Sequence, residues 1–562
     1  MDFTIKKLGP INEAKLELGD ITVLIGPPNV GKSYTLKALY ASLIMLDSTA
    51  RNFLLKQVLL DVFEHNRLIS DREIFRILLN LIVLYKKDPN FVRDIIERIN
   101  VLPDIGDISI RAENGYISAT IKRYESVDLK RFKILVKDKI NTLWDVVPTT
   151  DRTQIIINEL SSFQFLSILL EALKEPFTID WAEYHERLEL RVEYHVSSTP
   201  QEDLITFEKT MTLYLDEGSP LITKLRKQLI DDIIYRLKKA ENVDEMLHIL
   251  RRFFVIRLLL PVGKFGTILD EHIVEHILEC IENIIENTLK DVLGAQSILY
   301  IPFGRSPLVC QLEYISREPF FRTEILEDYY MFDILLYSYM SKLSSGRAKL
   351  SEGKYDKNIV QLFEPVIQGN LMFDKRSGEL KYKHWGFKEI GDGDSVVVPI
   401  KWASALAGEV TGILLPILAV PDKSYIIIEE PESQLHYSAQ VLMALALIGL
   451  SKRFNHRIAF STHSDIFALT LAYVQEFKPS KDKVLELIKK LLEMQNICVD
   501  DSNLEPLAKA VSENTDIDIR FYYYEPTPSG VRVSERNSLD ILKDVPGITD
   551  VVNILVTWAM SL

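Results

Sequence analysis

Cysteine is nearly absent. Cys280, Cys310 and Cys498 are the only three in 562 residues, and no Cys-x-x-Cys pair occurs, which argues against a disulfide framework and against a cysteine zinc site. Long apolar runs are missing as well: the longest, around residues 412–420 and 441–450, fall short of the roughly 18 residues a membrane-spanning helix needs. The first residues, Met1 to Lys7, lack the apolar core and cleavage site of a signal peptide, so the expectation is a cytoplasmic protein without membrane contact. Positive charge is not in excess either. With 66 Lys+Arg against 80 Asp+Glu the formal charge is -14, which excludes a sequence-independent polycation and confines any nucleic-acid contact to a local patch. No repeat of fixed period and no low-complexity segment is present.

What the chain does have is the balance of a globular protein, 47% hydrophobic and 26% charged, at a length that calls for two or three structural units. Residues 1–48 alternate short β patterns with turns and lead into a Gly-rich loop and a helix. Residues 49–294 carry apolar residues mostly at helical spacing, interrupted by strand-like alternation at 108–124 and 188–214, so a mainly helical insertion with antiparallel β pieces is predicted. Residues 295–562 return to β-like apolar runs separated by helical stretches, the pattern of an α/β unit with a largely parallel sheet.

Gly26-Pro27-Pro28-Asn29-Val30-Gly31-Lys32-Ser33 fits G-x-x-x-x-G-K-[ST] directly after an apolar strand and at the start of a helix. In that setting the loop amides surround a β-phosphate, Lys32 reaches the β/γ oxygens and Ser33 ligates Mg²⁺; Tyr34 completes the expected nucleotide-contacting set. A guanine-reading Asn-Lys-x-Asp or Thr-Lys-x-Asp is absent, and Asp544-Val545-Pro546-Gly547 precedes no such motif. ATP is therefore preferred over GTP.

Far along the chain, Tyr425-Ile426-Ile427-Ile428-Glu429-Glu430-Pro431-Glu432 is an apolar strand ending in carboxylates. Either the strand merely meets solvent at an acidic turn, or it is a Walker B strand whose Glu429 holds the Mg²⁺ shell and whose Glu430 polarises the attacking water. A second strand, residues 457–461, ends at Thr462-His463-Ser464. There the imidazole of His463 can donate to a γ-phosphate and sense hydrolysis.

Together these three segments resemble the ABC-class P-loop ATPases of the RecF, SMC and OLD lineage. The resemblance covers about residues 1–48 and 295–562, and implies an ATPase head in two halves separated by a long insertion, with ATP and Mg²⁺ as ligands. It implies that Glu429 assists the metal, in place of the usual Asp, that Glu430 is the general base or the water-orienting group, and that His463 is the switch histidine. It also implies a homodimer formed on ATP binding, in which a signature loop of one subunit caps the nucleotide of the other. The candidate is Ser404, Ala407, Gly408 and Glu409, where the alternative is a glycine-containing helix start with no ligand. Nothing after His463 fits the Toprim nuclease that many OLD-type proteins append, so a stand-alone ATPase is expected.

Two constellations compete in the insertion. His272, Glu275 and His276 fit H-x-x-E-H, which reads as a zinc site or as a solvated helix face. Basic residues gather at Lys122, Arg123, Lys130, Arg131, Lys133, Lys137 and Lys139, and at Lys224, Arg226, Lys227, Arg236, Lys238, Lys239, Arg251 and Arg252. They bind nucleic acid or simply keep the surface in solution, since Asp128, Asp138, Asp231 and Asp232 interleave with them. The function expected is an ATP-driven dimer switch acting on DNA or on a DNA-processing partner such as a nuclease or effector, in repair, maintenance or defence. The alternative is an ATP-dependent sensor or scaffold for a partner protein, without nucleic-acid contact.

Overall fold

Three segments consist almost entirely of β-branched and other apolar residues, Ile21–Ile25, Ile298–Ile301 and Tyr425–Glu429, and every residue in them is buried. An unbroken apolar strand of this kind has both faces covered, which is the condition of a parallel sheet flanked by helices. The computed structural model describes residues 2–44, 47, 71–100, 107–113, 115–128, 154–157, 160–161, 177–185, 188–199, 204–216, 227–252, 295–315, 334–386, 397–497, 499–513 and 516–543. It forms two compact units, one of Met1–Arg51, Ile140–Phe165 and Glu286–Leu562, the other of Asn52–Lys139 and Leu166–Ile285.

The fold of the first unit is α/β. Among the described residues its main sheet has ten strands in the order Ile298–Ile301, Tyr425–Glu429, Arg457–Thr462, Ile21–Ile25, Ile519–Thr527, Gly530–Arg536, Ile11–Glu17, Asp2–Leu8, Gln154–Ile157 and Leu160–Ser161. The first five run parallel, and the rest form a largely antiparallel wing. The phosphate-loop strand and the carboxylate strand are therefore not neighbours, because the histidine strand lies between them. The registers Thr462↔Ile25 and Glu429↔Ser461 keep all three C-terminal ends level, and it is outside such ends that open α/β sheets bind ligands. The core gathers Ile21, Val23, Ile426, Ile428, Ile458 and Phe460 from these strands with Leu442, Leu445 and Ile448 of the helix Tyr437–Phe454 and Val410, Ile413 and Leu414 of the helix Ala405–Ala419.

The segment 140–165, read from sequence as part of the insertion, clusters with this unit. Its strand Gln154–Ile157 pairs with Phe3 to Lys6, a long-range backbone pairing that hydrophobic spacing does not encode.

At the far end of the histidine strand His456 is buried, its Nδ1 accepting from the Ser424 N–H at 3.2 Å. Burial pushes its pKa down to about 4, against a small upward pull from Asp422. In the unfolded chain the imidazole regains its ordinary value near 6.5. The neutral ring's contribution is thus complete above pH 6.5 and is lost as pH falls from 6.5 towards 4, because only the unfolded state takes up the proton. His456→Asn is expected to flatten the fall of Tm over that window. A melting series with the same slope as wild type would mean that other groups govern the acid limb.

The second unit carries an antiparallel sheet ordered Asp107–Glu113, Tyr116–Asp128, Leu204–Asp216, Leu188–Thr199 and Phe177–His185. Alternation sends Ile117, Ala119 and Ile121 from one strand and Met211, Leu213 and Leu215 from the next into its core. The helices Asp71–Lys87, Pro89–Ile99, Lys227–Lys239 and Val243–Arg252 complete its described part. The two strand-like stretches of the sequence thus belong to one antiparallel sheet. His272, Glu275, His276, Lys130, Arg131, Lys133, Lys137, Lys139, Lys224, Arg226 and the Asp544 to Gly547 string lie outside the described residues.

Candidate functional site

The loop after Ile21–Ile25 holds three residues at positive φ, Gly26 at 148°, Asn29 at 62° and Gly31 at 95°. Turns of this kind, with left-handed residues among right-handed ones, bring successive backbone N–H groups to one side and make an anion-accepting concavity. Space adds a second demand on two of them: a Cβ at Gly26 would sit 2.7 Å from the Tyr524 carbonyl oxygen, and one at Gly31 3.0 Å from Ile11. Pro28 and Asn29 are exposed, Pro27 and Ser33 half-buried, Val30 buried, and Tyr34 faces solvent.

Gly31 precedes the helix Lys32–Leu43, whose N-terminal end favours anions. The Lys32 side chain is buried and folds back over the loop, donating to the Gly26 carbonyl at 2.7 Å and the Pro27 carbonyl at 2.8 Å. Its Nζ also lies 3.3–3.4 Å from the ring nitrogens of His463. Burial pulls its pKa down to about 8, against the opposing pull of the Glu430 and Glu432 carboxylates.

Two strands across, Glu429 is buried. Its Oε2 accepts from the Phe303 N–H at 3.3 Å, while its Oε1, and the Oγ of Ser461 on the adjoining strand, have no hydrogen-bond partner among the described residues. A buried carboxylate oxygen without a donor is costly, and its chemistry fits a hard cation. No cluster of three or more His, Cys, Asp or Glu side chains suited to a metal occurs among the described residues. A metal here would thus be held as Mg²⁺ commonly is, by few protein oxygens with phosphate and water completing the shell.

Glu430 adopts φ 44°, the left-handed region, and that turn takes its side chain away from the line of the strand. Its Oε1 lies 3.4 Å from His463 Nε2. The His463 hydrogen bond, helped by Lys32 and Arg305, holds its carboxyl below the usual carboxylate range. The third acid, Glu432, is buried and accepts from the Thr462 hydroxyl at 2.7 Å and the His463 N–H at 2.8 Å. Burial raises its pKa. It fixes the backbone that carries the histidine, a role that sequence reading did not assign to it.

Arg305 was also missed. It stands at the start of the helix Arg305–Ile315 and is fully buried. Its guanidinium donates to the Glu429 carbonyl at 2.6 Å, the Glu430 carbonyl at 2.9 Å, the Pro302 carbonyl at 3.1 Å and Glu409 Oε2 at 3.0 Å. The available signal was position: Pro302-Phe303-Gly304-Arg305 follows the end of a parallel apolar strand at the sheet edge, as the loop, the glutamates and the histidine each follow theirs.

The residues expected to cap a second subunit's nucleotide divide. Ser404 is exposed and caps the helix Ala405–Ala419 by accepting from the Ala407 N–H at 3.3 Å. Ala407, Gly408 and Glu409 instead turn inward and are buried: Glu409 pairs with Arg305 and accepts from the Ser306 N–H at 3.1 Å, and a Cβ on Gly408 would come within 2.3 Å of Ser306 Oγ. Gly408→Arg is therefore expected to destabilise the fold by more than about 3 kcal/mol, since it drives a charge into a packed interface. A variant melting like wild type would show that this helix start can move out to expose position 408.

Carboxylates and rings stand beside several of the basic residues described in the second unit. Lys122 pairs with Glu208, Lys87 with Asp231 and Arg236 with Asp232. The Lys238 ammonium lies over the Phe91 ring and that of Lys239 over Tyr235. No described helix is long and apolar enough to cross a membrane.

No family model and no curated protein matches the chain. Among solved structures it is similar to an SMC head bound to the C-winged helix domain of ScpA, at 10% identity over 95% of this chain and 97% of that one with a TM-score of 0.27. It is also similar to the SMC head domain from Thermotoga maritima, at 9% identity over 95% and 98% of the two chains with a TM-score of 0.24. A third is the Smc head domain with an extended coiled coil bound to the C-terminal domain of ScpA derived from Pyrococcus furiosus, at 9% identity, 98% of both chains and a TM-score of 0.25. Likeness at these scores adds no argument to the geometry.

Proposed function

We propose that this protein is a Mg²⁺-dependent ATPase of the ABC type, built from residues 1–48 and 295–562 around an insertion at 49–294, and that nucleotide drives association of two copies. One observation carries the reading: three neighbouring parallel strands end level with one another, and their ends put His463 within 3.4 Å of both Lys32 and Glu430. The backbone N–H groups of Asn29 to Ser33 receive the β-phosphate, Pro27 and Pro28 having none to offer, and Lys32 exchanges the Gly26 and Pro27 carbonyls for phosphate oxygens. Ser33 and Glu429 would hold Mg²⁺, which when bound neutralises charge building on the β/γ oxygens. Glu430, ionised through its contact with His463, accepts the proton of the attacking water. His463, anchored by Glu432, then reports through its ring whether the γ-phosphate is present. Phosphate release that requires Mg²⁺, and that stops when the metal is chelated, is the direct test. Purified protein with no such activity and no ATP binding would refute the reading.

DNA or a DNA-processing partner is the first candidate for what the switch acts on. The pairing of Lys122, Lys87 and Arg236 with carboxylates favours the second reading, a partner protein held without nucleic acid. Phosphate contacts release counterions, so retardation of duplex or single-stranded DNA that weakens as salt rises would decide for the first. No retardation at low salt, with or without ATP, would decide for the second.

A further inference from the structure

We propose that Arg305 is the positioning residue for Glu430 and links its aim to the start of the helix Ala405–Ala419; this rests on the ATPase reading above. The observations concern backbone as much as charge. Glu430 is held at positive φ, a conformation that a non-glycine residue keeps only when its surroundings over-determine it. Its own N–H is fixed by the Ser461 carbonyl at 3.1 Å. On the other side of the turn, the carbonyls of Glu429 and Glu430 converge on one guanidinium, at 2.6 and 2.9 Å. Only a planar fork with several donors meets both at once.

The same guanidinium turns its Nε to Glu409 Oε2 at 3.0 Å, and the other oxygen of that carboxylate takes the Ser306 N–H at 3.1 Å. The two helices are pressed together at this point. A Cβ on Gly412 would lie 2.6 Å from Arg305 Cβ, as one on Gly408 would clash with Ser306. Arg305 and Glu409 are both buried, so water cannot replace either partner. The path from the exposed Ser404 to the Glu430 side chain therefore runs through packed atoms: helix start, Glu409 carboxylate, Arg305 guanidinium, Glu430 carbonyl. A shift of the helix start moves the carboxylate, and the turn that aims Glu430 at His463 moves with it.

Arg305→Lys keeps the charge beside Glu409 and loses the fork. Arg305→Met with Glu409→Gln removes both charges while leaving an amide oxygen for the Ser306 N–H, and covers the case in which the lysine variant does not fold. Each folded variant is expected to bind ATP as wild type does, with KM within about threefold and kcat reduced about tenfold or more, because Arg305 bears on the water-orienting group and not on the phosphate loop. In a Glu430→Gln background the same substitutions should alter kcat by less than about twofold, since residues acting through one another are not additive. A merely structural role would lower the active fraction equally in both backgrounds. Wild-type kcat in a folded Arg305 variant, or an undiminished loss in the Glu430→Gln background, overturns the inference. Absence of ATP turnover in the unmodified protein would instead remove the ATPase reading on which it stands.

Discussion

Glu430→Gln is expected to bind ATP and Mg²⁺ as the wild type does while hydrolysing ATP about 10²–10⁴-fold more slowly, the range for removal of a positioned general base. The amide keeps the shape of the carboxylate and still reaches His463 across the 3.4 Å contact, but it cannot accept the proton of water. Glu429 remains to serve the metal. Because the ATP state then accumulates, the variant also tests association. Light scattering should show a dimer with ATP and not with ADP, since a ligand that bridges two subunits shifts the equilibrium by mass action. Ser404 and Ala405 are the exposed residues of the candidate capping helix, so the contact is expected from that tip and not from the buried Gly408. Rapid hydrolysis by this variant would take the base role from Glu430. A variant that stays monomeric with ATP bound would dispose of the sandwich.

Lys32→Ala should lose most of its nucleotide affinity. Breaking a desolvated charge pair costs about 2–5 kcal/mol, which is roughly 30-fold to several thousand-fold in Kd. The fold should survive. The ammonium is buried against two loop carbonyls and a histidine, and burial disfavours its charged form, so its removal relieves a penalty. Titration with a fluorescent ATP analogue, beside a melting curve, separates the two effects: binding lost with Tm kept is the expected pair. Wild-type affinity would mean that the loop does not hold phosphate. Lost binding with a collapsed Tm would mean that Lys32 is there to hold the loop.

The acidic strand end shows how far local pattern reaches. Glu429 and Glu430 were legible because an apolar run ending in two acids can only present them at the rim of a sheet, and His463 because a strand end carries it to the same rim. Which neighbour each would meet was not legible. Glu430 meets His463 only because the strand Arg457–Thr462 lies between the carboxylate strand and the phosphate-loop strand, and strand order is a property of the whole sheet.

Glu409 shows the opposite outcome. Its place after Ser404, Ala407 and Gly408 suggested a phosphate-facing helix start, yet its carboxylate is turned inward by an arginine far away in sequence. Small residues at a helix N-terminus serve close approach to a ligand or to another helix equally well, and spacing cannot distinguish the two.

By itself, then, the sequence determined the turn at Gly26 to Ser33, the apolar strands and the acids and histidine at their ends, because glycine's conformational freedom and the burial of β-branched runs act over a few residues. Tertiary structure alone decided that the strands Gln154–Ile157 and Leu160–Ser161 would extend the sheet, that Arg305 would grip the turn at Glu430, and that Glu432 would anchor the histidine. Those outcomes depend on which buried polar group finds a donor or acceptor once the strands are assembled, and desolvation makes that choice among all groups brought to the same place, whatever their distance along the chain.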